Sequence, residues 1–247
     1  MDHFVYVAAA GAKQTQFAQA INAHNLANAS TVGFKQDLVQ AETLYLVGEG
    51  QATRAYNVID DAPPDLREGM IEQTGRDLDI AINGEGFFAV QGPDGVEGLT
   101  RRGDLRIDEF GQLVNGQGQA LMGNAGPIAL PPFSSLTIGD DGTISIIPLG
   151  EAPNAVAVLD RIKMVNPPLA DLRKSEAGVL QAGDGLPMEA DGAVKLTTGA
   201  LESSNVNPVS AMVRMIELSR QFEQYMKLVK VGEDVNTSSA SLMRLQS

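Results

Sequence analysis

The 247-residue sequence contains no cysteine, no tryptophan and only two histidines. Without cysteine there is neither a disulfide framework nor a thiolate for covalent or metal chemistry. His3 and His24 lie in the same predicted helix, and neither has a cysteine or a second histidine at metal-ligand spacing. The sequence therefore predicts no metal site and no bound cofactor.

Motifs of catalysis and phosphate binding are also missing from the sequence. No Gly-x-Ser-x-Gly nucleophile elbow occurs, and the glycines of residues 84–88 lack the spacing of a phosphate-binding loop. The acidic segments at 76–79 and 140–143 lack the ligand spacing of an EF-hand and are explained as turn and strand-edge acids. We predict no catalytic residue and a protein that is not an enzyme.

Basic residues are few compared with acidic ones: 18 Lys and Arg stand against 31 Asp and Glu, for a formal net charge of −13. This balance argues against nucleic acid and anionic membranes as partners. No run approaches the roughly 20 apolar residues of a membrane span. The first Lys or Arg is Lys13, so the sequence lacks the basic start of a Sec signal peptide. We expect no nucleic-acid partner, no stable membrane insertion and no cleaved signal peptide.

Residues 1–30 predict one long helix, because apolar residues recur in steps of three and four close to a heptad pattern. Small residues between Ala8 and Ala12 would let another helix approach closely. The candidate interface positions of this helix are Phe4, Val7, Gly11, Phe17, Ile21, Asn25, Leu26 and Asn28.

The asparagines near the end of this helix have two interpretations. Asn25 and Asn28 stand where a helix would normally carry leucine, and an asparagine in a helix–helix seam specifies register at some cost in stability. Alternatively, these residues only fray the helix before it ends. Gly33 then fits a turn with positive φ, which would place Phe34 under the helix end.

The middle of the chain predicts a linker followed by a β-rich domain. Residues 31–68 have no sustained period and are interpreted as an extended linker with one or two short strands. Residues 69–204 contain short strand-like segments, among them residues 126–132, bounded by Gly, Asp, Asn and Pro, which is typical of an antiparallel sandwich or distorted barrel. Gly84 and Gly86 are interpreted as turn glycines.

Residues 205–247 predict a second long helix, with Asn207 as its N-cap and Pro208 in its first turn. The apolar stripe of this helix consists of Val209, Met212, Val213, Ile216, Phe222, Met226 and Val229. The fold class is therefore α+β, with long helices at both termini. The two stripes are wider than a two-helix seam needs, so we infer burial against other subunits.

Four segments, in this order, resemble the rod and hook family of flagellar axial proteins: AHNLANASTVGFK, GRDLDIAINGEGFFAV, LTRRGDLRIDEFGQLVNGQGQALMG and GALESSNVNPVSAMVRMIELSRQFEQYMK. Within this family, the opening 20 residues and the segments at 52–54 and 153–165 resemble a proximal rod subunit. A distal rod or hook-type subunit is the alternative.

The resemblance implies a structural protein that polymerises into a torque-transmitting shaft. Terminal helices of many subunits would form a coiled-coil-like inner domain, and the β-rich domain would form the outer layer. The implied partners are other rod subunits, copies of the same chain and the flagellar type III export apparatus. The implied location is the basal-body rod in the periplasm. A secreted β-rich binding or hydrolytic protein with helical dimerisation arms is the competing class, favoured only by the acidic, Gly-rich middle.

Overall fold

The computed structural model describes residues 2–45, 55–61, 64–92, 95–152, 154–168, 172–175, 178–182 and 186–244. The chain divides into two compact units. Unit 1 consists of Met1–Ala29, Asp37–Ala62 and Val206–Ser247, and unit 2 consists of Ser30–Gln36 and Pro63–Asn205.

Unit 1 contains two long helices and a β-hairpin. Helix α1 spans Asp2–Ala27 and helix α2 spans Pro208–Arg244. Strands β1 (Val39–Tyr45) and β2 (Ala55–Asp61) pair antiparallel, with Val39 opposite Asp61 and Tyr45 opposite Ala55. The one or two short strands predicted for residues 31–68 correspond to this hairpin.

The two helices of unit 1 pack against each other in antiparallel orientation. Asn22 near the end of α1 donates to the carbonyl of Ala211 near the start of α2, at 2.8 Å. Toward the start of α1, Gly11 lies against Tyr225 and Val5 lies against Gly232. As the residue number falls along α1, the number of its partner rises along α2, so the pairing extends over most of α1.

Unit 2 carries the remaining strands. They are β3 (Ile71–Gln73), β4 (Ile80–Asn83), β5 (Phe87–Gln91), β6 (Glu97–Thr100), β7 (Arg106–Ile107), β8 (Leu113–Val114), β9 (Phe133–Ile138), β10 (Thr143–Pro148), β11 (Ala157–Arg161), β12 (Met164–Val165), β13 (Leu172–Lys174), β14 (Leu180–Ala182), β15 (Lys195–Thr198) and β16 (Ala200–Glu202).

These strands pair antiparallel within several small sheets. The larger sheets have the orders β12-β5-β6-β14-β13 and β11-β10-β9, and the two-stranded pairs are β15-β4, β16-β3 and β7-β8. The main apolar cluster of unit 2 gathers Ile80, Phe88, Leu113, Ile144 and Leu196 with their neighbours. Because few of these strands exceed five residues, this shared core rather than any one sheet holds the unit together.

The predicted α+β class is confirmed, with a helix at each end of the chain and an antiparallel, sheet-rich middle. The apolar segment at 126–132, which the pattern predicts as a strand, is an exception. It makes only isolated bridges, from Ala129 to Gln112 and from Pro127 to Met122. Pro127, Pro131 and Pro132 lack the backbone N–H that a strand needs for its ladder.

Candidate assembly surface

The contact between α1 and α2 is built from small and polar residues on one side. Ala8, Ala12, Thr15 and Asn22 of α1 are buried, and Ala8, Thr15 and Asn22 recur every seven residues. A Cβ placed on Gly11 would lie 2.5 Å from the ring of Tyr225, so that ring occupies the space that a side chain would fill. The small residues of α1 thus permit the close approach of a helix that the sequence predicts.

The contributing positions on α2 also recur every seven residues. Ala211 and Leu218 are buried, while Tyr225 and Gly232 meet α1 directly. Gly232 leaves room for Val5, which lies 2.5 Å from the position of a Cβ on that glycine. The sequence analysis missed this inward line of α2, because Leu218 is the only large aliphatic residue among its four members and alanine, tyrosine and glycine do not mark an apolar stripe.

The predicted stripe of α2 is divided between two faces of the helix. Phe222 and Val229 are half-buried, whereas Met226 is 48% exposed. Val209, Met212, Val213 and Ile216 are between 52% and 68% exposed. At 100° per residue these four side chains lie on the face opposite Ala211 and Leu218. We call them the outer α2 patch.

The predicted positions of α1 are likewise divided. Phe4, Val7 and Phe17 are exposed, and Gly11, Ile21 and Leu26 are half-buried. Each helix therefore keeps large apolar side chains in contact with solvent after the two helices have packed. Exposed apolar groups concentrated in this way are typical of interaction surfaces.

The asparagines at the end of α1 are paired within the chain. Asn25 is 2% exposed, and its amide donates to the carbonyl of Asp37 at 2.8 Å and accepts from the N–H of Asp37 at 2.9 Å. Asn28 donates to the carbonyl of His24 at 2.9 Å, within the helix end. His24 in turn contacts the Asp37 carboxylate at 2.9 Å. Asn25 thus fastens the chain that follows α1, a role that neither sequence interpretation names.

The start of α2 has the geometry of a capped helix. The Asn207 side chain accepts a hydrogen bond from the N–H of Ser210 at 3.1 Å, and Pro208 is the first helical residue. The asparagine satisfies one of the N–H groups that the first turn leaves unpaired, and proline has no N–H to satisfy there.

The three glycines predicted at turns, Gly33, Gly84 and Gly86, have the positive φ that other residues avoid. Gly33 has φ of 64° and lies so close to the backbone of Arg101 that a Cβ would come within 2.5 Å of it. Gly84 and Gly86, between β4 and β5, have φ of 86° and 129°. A Cβ on Gly86 would also meet Val194 at 2.9 Å, whereas one on Gly84 would meet nothing within 4 Å.

A buried ion cluster lies in unit 2 and was not predicted from the sequence. The Glu202 carboxylate accepts from Lys35 Nζ at 2.6 Å and from Arg101 at 3.0 Å, and all three side chains are almost fully buried. Burial lowers the pKa of the Lys35 ammonium, although the carboxylate of Glu202 opposes this effect. Lys35, Arg101 and Glu202 each lie in one of the family motifs, but these motifs are far apart in the sequence, so the sequence does not indicate that the three side chains meet.

Phe34 belongs to the same region of unit 2. The Lys174 ammonium lies 4.5 Å from the centre of its ring, a cation–π geometry. The sequence predicted a position for Phe34 under the helix end, and the contact found here is with a strand residue of unit 2.

Among the described residues, no group of three or more His, Cys, Asp and Glu could hold a metal ion. An open depression of about 640 Å³ in unit 2 is lined mainly by apolar residues and prolines: Val165, Asn166, Pro167, Pro168, Ala182, Leu186, Pro187, Met188, Glu189 and Asp191. No helix in the described ranges combines the length and the apolar character that crossing a membrane requires.

Family models match three parts of the chain. A model described as flagella basal body rod protein matches residues 5–35, one described as flagellar hook protein FlgE/F/G D1 domain matches residues 81–146, and one described as flagellar basal body rod FlgEFG protein C-terminal matches residues 197–242. These matches cover most of α1, much of the sheet region and most of α2.

Characterised relatives match over almost the whole chain. The flagellar basal-body rod protein FlgF of Salmonella typhimurium is 39% identical over 235 residues, which is 93% of both chains. FlgF of Escherichia coli is 39% identical over 240 residues, or 95% of both chains. FlgG of Buchnera aphidicola (subspecies Schizaphis graminum) is 31% identical over 263 residues, covering 98% of this chain and 97% of the relative. The chain therefore belongs to the family of flagellar basal-body rod proteins, with FlgF-type rod proteins among its relatives.

Proposed function

We propose that the chain is a structural subunit of the proximal part of the flagellar basal-body rod and acts by polymerising into the axial shaft. The exposed apolar side chains that remain after α1 and α2 have packed carry this proposal. Identity of 39% to two FlgF proteins, against 31% to a FlgG protein, favours the proximal rod over the distal rod and hook-type alternatives.

The proposed interface consists of the outer faces of the two helices. It includes the outer α2 patch with Met226, together with Phe4, Val7 and Phe17 of α1. The half-buried positions Gly11, Ile21, Leu26, Asn28, Phe222 and Val229 would support it from the side of the helix pair, and the buried Asn25 would hold the helix end. Helix pairs from neighbouring subunits would then bury one another in a coiled-coil-like inner layer.

The proposed division of labour assigns assembly to residues 1–30 and 205–247, connection to residues 31–68 and the outer layer to residues 69–204. Partners would be copies of this chain and other rod subunits, and the flagellar type III apparatus would export the chain without a cleaved signal. The working location would be the rod in the periplasm. The structural character of the relatives supports a protein without enzymatic activity.

The test replaces one side chain of the outer α2 patch with a charge. Ile216→Asp should leave the folded chain intact, because Ile216 is 55% exposed there. In an assembled rod the same carboxylate would be buried without a partner, which is costly. Incorporation of this variant into purified basal bodies should fall by more than about ten-fold, since a loss of 1.4 kcal/mol per contact already gives that factor.

Leu149→Asp is the matched control, because Leu149 is 70% exposed in a turn of unit 2. It introduces the same charge in place of an exposed apolar residue outside the proposed interface and should enter basal bodies normally. Normal occupancy by the Ile216→Asp variant would rule out this face of α2 as an interface.

A further inference from the structure

Three segments of unit 2 meet at one place: residues 33–36, 65–70 and 202–205. Backbone hydrogen bonds join them, from Gly33 N to the carbonyl of Glu202 at 2.7 Å, from Asp65 N to that of Gln36 at 2.8 Å and from Ser203 N to that of Met70 at 2.8 Å. We call this place the three-segment junction. Each segment is hydrogen-bonded to both of the others or to their side chains.

The Glu202 carboxylate is the centre of the junction. One oxygen accepts from Lys35 Nζ at 2.6 Å and from the N–H of Gly69 at 2.8 Å, and the other accepts from Arg101 at 3.0 Å. One side chain thus contacts the other two segments and a fourth part of the chain. A buried carboxylate is tolerated only when its charge and its hydrogen-bonding capacity are both satisfied, as they are here.

The two cations extend these ties further. Lys35 Nζ also donates to the carbonyl of Arg67 at 2.7 Å. Arg101 donates to the carbonyl of Gly84 at 2.7 Å, and its guanidinium lies 5.2 Å from the centre of the Phe87 ring. The ion cluster is therefore connected to the β4–β5 turn and to the second apolar cluster of unit 2, which contains Phe87.

Asn205 makes a second set of ties three residues after Glu202. Its side-chain oxygen accepts from Gln36 N at 2.8 Å, and its amide donates to the carbonyls of Asp65 at 2.8 Å and Arg67 at 3.2 Å. Its backbone N–H donates to the carbonyl of Phe34 at 3.3 Å. Glu202 and Asn205, both in segment 202–205, therefore each bind to segments 33–36 and 65–70.

The three-segment junction lies next to the points at which the chain passes from one unit to the other. The chain passes between the two units after Ala29, Gln36, Ala62 and Asn205. Segments 30–36, 63–70 and 202–205 are the parts of unit 2 that border these four crossings. Any force carried along the polypeptide from the helices to the sheets must enter unit 2 through these segments.

We propose that the three-segment junction is the mechanical coupling through which unit 2 receives force from the helices, with Glu202 as its positioning residue. This inference rests on the proposed function, because a subunit of a torque-transmitting shaft must not yield at its internal crossings. A buried ion cluster suits this task, since it specifies one arrangement of the segments where apolar contacts would allow several.

The first test compares Glu202→Gln with Glu97→Gln in the full-length chain by hydrogen exchange. Glu97 is the matched control, because it forms an ion pair with Lys163 at 2.7 Å elsewhere in unit 2. In the Glu202→Gln variant the amides of Gly33, Gly69 and Ser203 should exchange at least about ten-fold faster, since each depends on Glu202 or its segment. The Glu97→Gln variant should leave these amides unchanged, and equal exchange rates in the two variants would overturn the proposal.

A second variant keeps the test informative if Glu202→Gln does not fold. Lys35→Met leaves Glu202 paired with Arg101, so one buried charge of each sign remains. It removes only the ties to Glu202 and to the carbonyl of Arg67. Faster exchange confined to residues 33–36 and 65–70 would support the junction, and an exchange pattern equal to that of the unaltered chain would overturn it.

The second test measures basal-body incorporation and swimming speed under load in cells that carry only the variant chain. Glu202→Gln should reduce incorporation into basal bodies, or reduce swimming speed more steeply than Glu97→Gln as the viscosity of the medium rises. If both variants incorporate and swim alike, the coupling role is wrong. If the unaltered chain itself is absent from basal bodies, the proposed function fails, whereas the exchange experiment still decides whether the junction holds the three segments.

Discussion

Tyr225 packs its ring against the Cα of Gly11, and a Cβ on that glycine would lie 2.5 Å from the ring. The helices at the two ends of the chain can therefore pack this closely only because residue 11 has no side chain. This contact explains why glycine stands inside α1, where it costs about 1 kcal/mol of helix stability relative to alanine.

Gly11→Val should destabilise the packing of α1 against α2. The added side chain must displace the Tyr225 ring, and overpacking of this kind costs about 1–3 kcal/mol. Thermal unfolding followed by circular dichroism measures the change. Ala10→Val adds a similar side chain at an exposed position of the same helix and should cost only its lower helix propensity, a few tenths of a kcal/mol. Equal losses of stability in the two variants would show that the packing of α1 against α2 does not require glycine at position 11.

Asn25→Leu should destabilise the chain, although it places the expected apolar residue on the stripe of α1. The N–H and the carbonyl of Asp37 would both lose their partner, which costs about 1–3 kcal/mol. Asn28→Leu is the control, because the Asn28 side chain donates to the carbonyl of His24, within its own helix end. Urea unfolding should rank the Asn25 variant clearly below the Asn28 variant, and the reverse order would contradict the fastening role of Asn25.

Gly86→Val should destabilise unit 2 more than Gly84→Val. Both glycines have positive φ, which costs a β-branched residue about 1–3 kcal/mol. Only the valine at 86 must also displace Val194 and approach the carbonyl of Val165. Melting temperatures of the full-length variants measure the difference, and Gly192→Val, whose φ is not positive, provides the baseline. Indistinguishable melting of the variants at 84 and 86 would mean that the close approach is relieved without cost.

Asp141 should stabilise unit 2 at neutral pH and lose this stabilising contribution in acid. The pKa of its carboxyl lies below the ordinary value of 3.8, because the N–H of Thr143 donates to it, followed by the hydroxyl of that residue. A carboxyl whose pKa is lowered by folding stabilises the folded state above its unfolded pKa and loses this contribution as the pH falls through the folded value. The stability difference between the unaltered chain and Asp141→Asn should therefore be largest above pH 3.8 and shrink below it. Urea titrations across this range test the trend, and a constant difference would contradict it.

The local features of the fold were predictable because their causes are local. The periodicity of the terminal segments predicted α1 and α2, and the turn at Asp141-Gly142 between β9 and β10 follows from its residue types. Strand β3 was not predicted, because a three-residue strand such as Ile71–Gln73 exists through pairing with β16, a partner distant in sequence. Strands β13 and β14 were not predicted either, although they pair with each other as neighbours along the chain, because three residues are too few to show an alternating pattern. The strand predicted at 126–132 does not form, because its prolines lack the N–H groups that a ladder of hydrogen bonds requires.

The candidate surface was predictable only in part, because periodicity does not say which partner covers a stripe. The pattern grouped Ile216 with Phe222, whereas the structure exposes Ile216 and half-buries Phe222. The inward line of α2 depends on Ala211, Tyr225 and Gly232, whose fit is visible only when the other helix is in place. Glu202 and Lys35 are 167 positions apart in the sequence, so no local pattern connects them.

Burial of the outer α2 patch on assembly can be measured directly, because the chain has no cysteine of its own. Ile216→Cys and Leu218→Cys would be labelled with a maleimide in the unassembled chain and in purified basal bodies. We expect Cys at 216 to react readily before assembly and at least about ten-fold more slowly in the rod, because an ordered interface excludes the reagent. Cys at the buried position 218 should react slowly in both states. Equal labelling at 216 before and after assembly would contradict the claim that this face of α2 builds the rod.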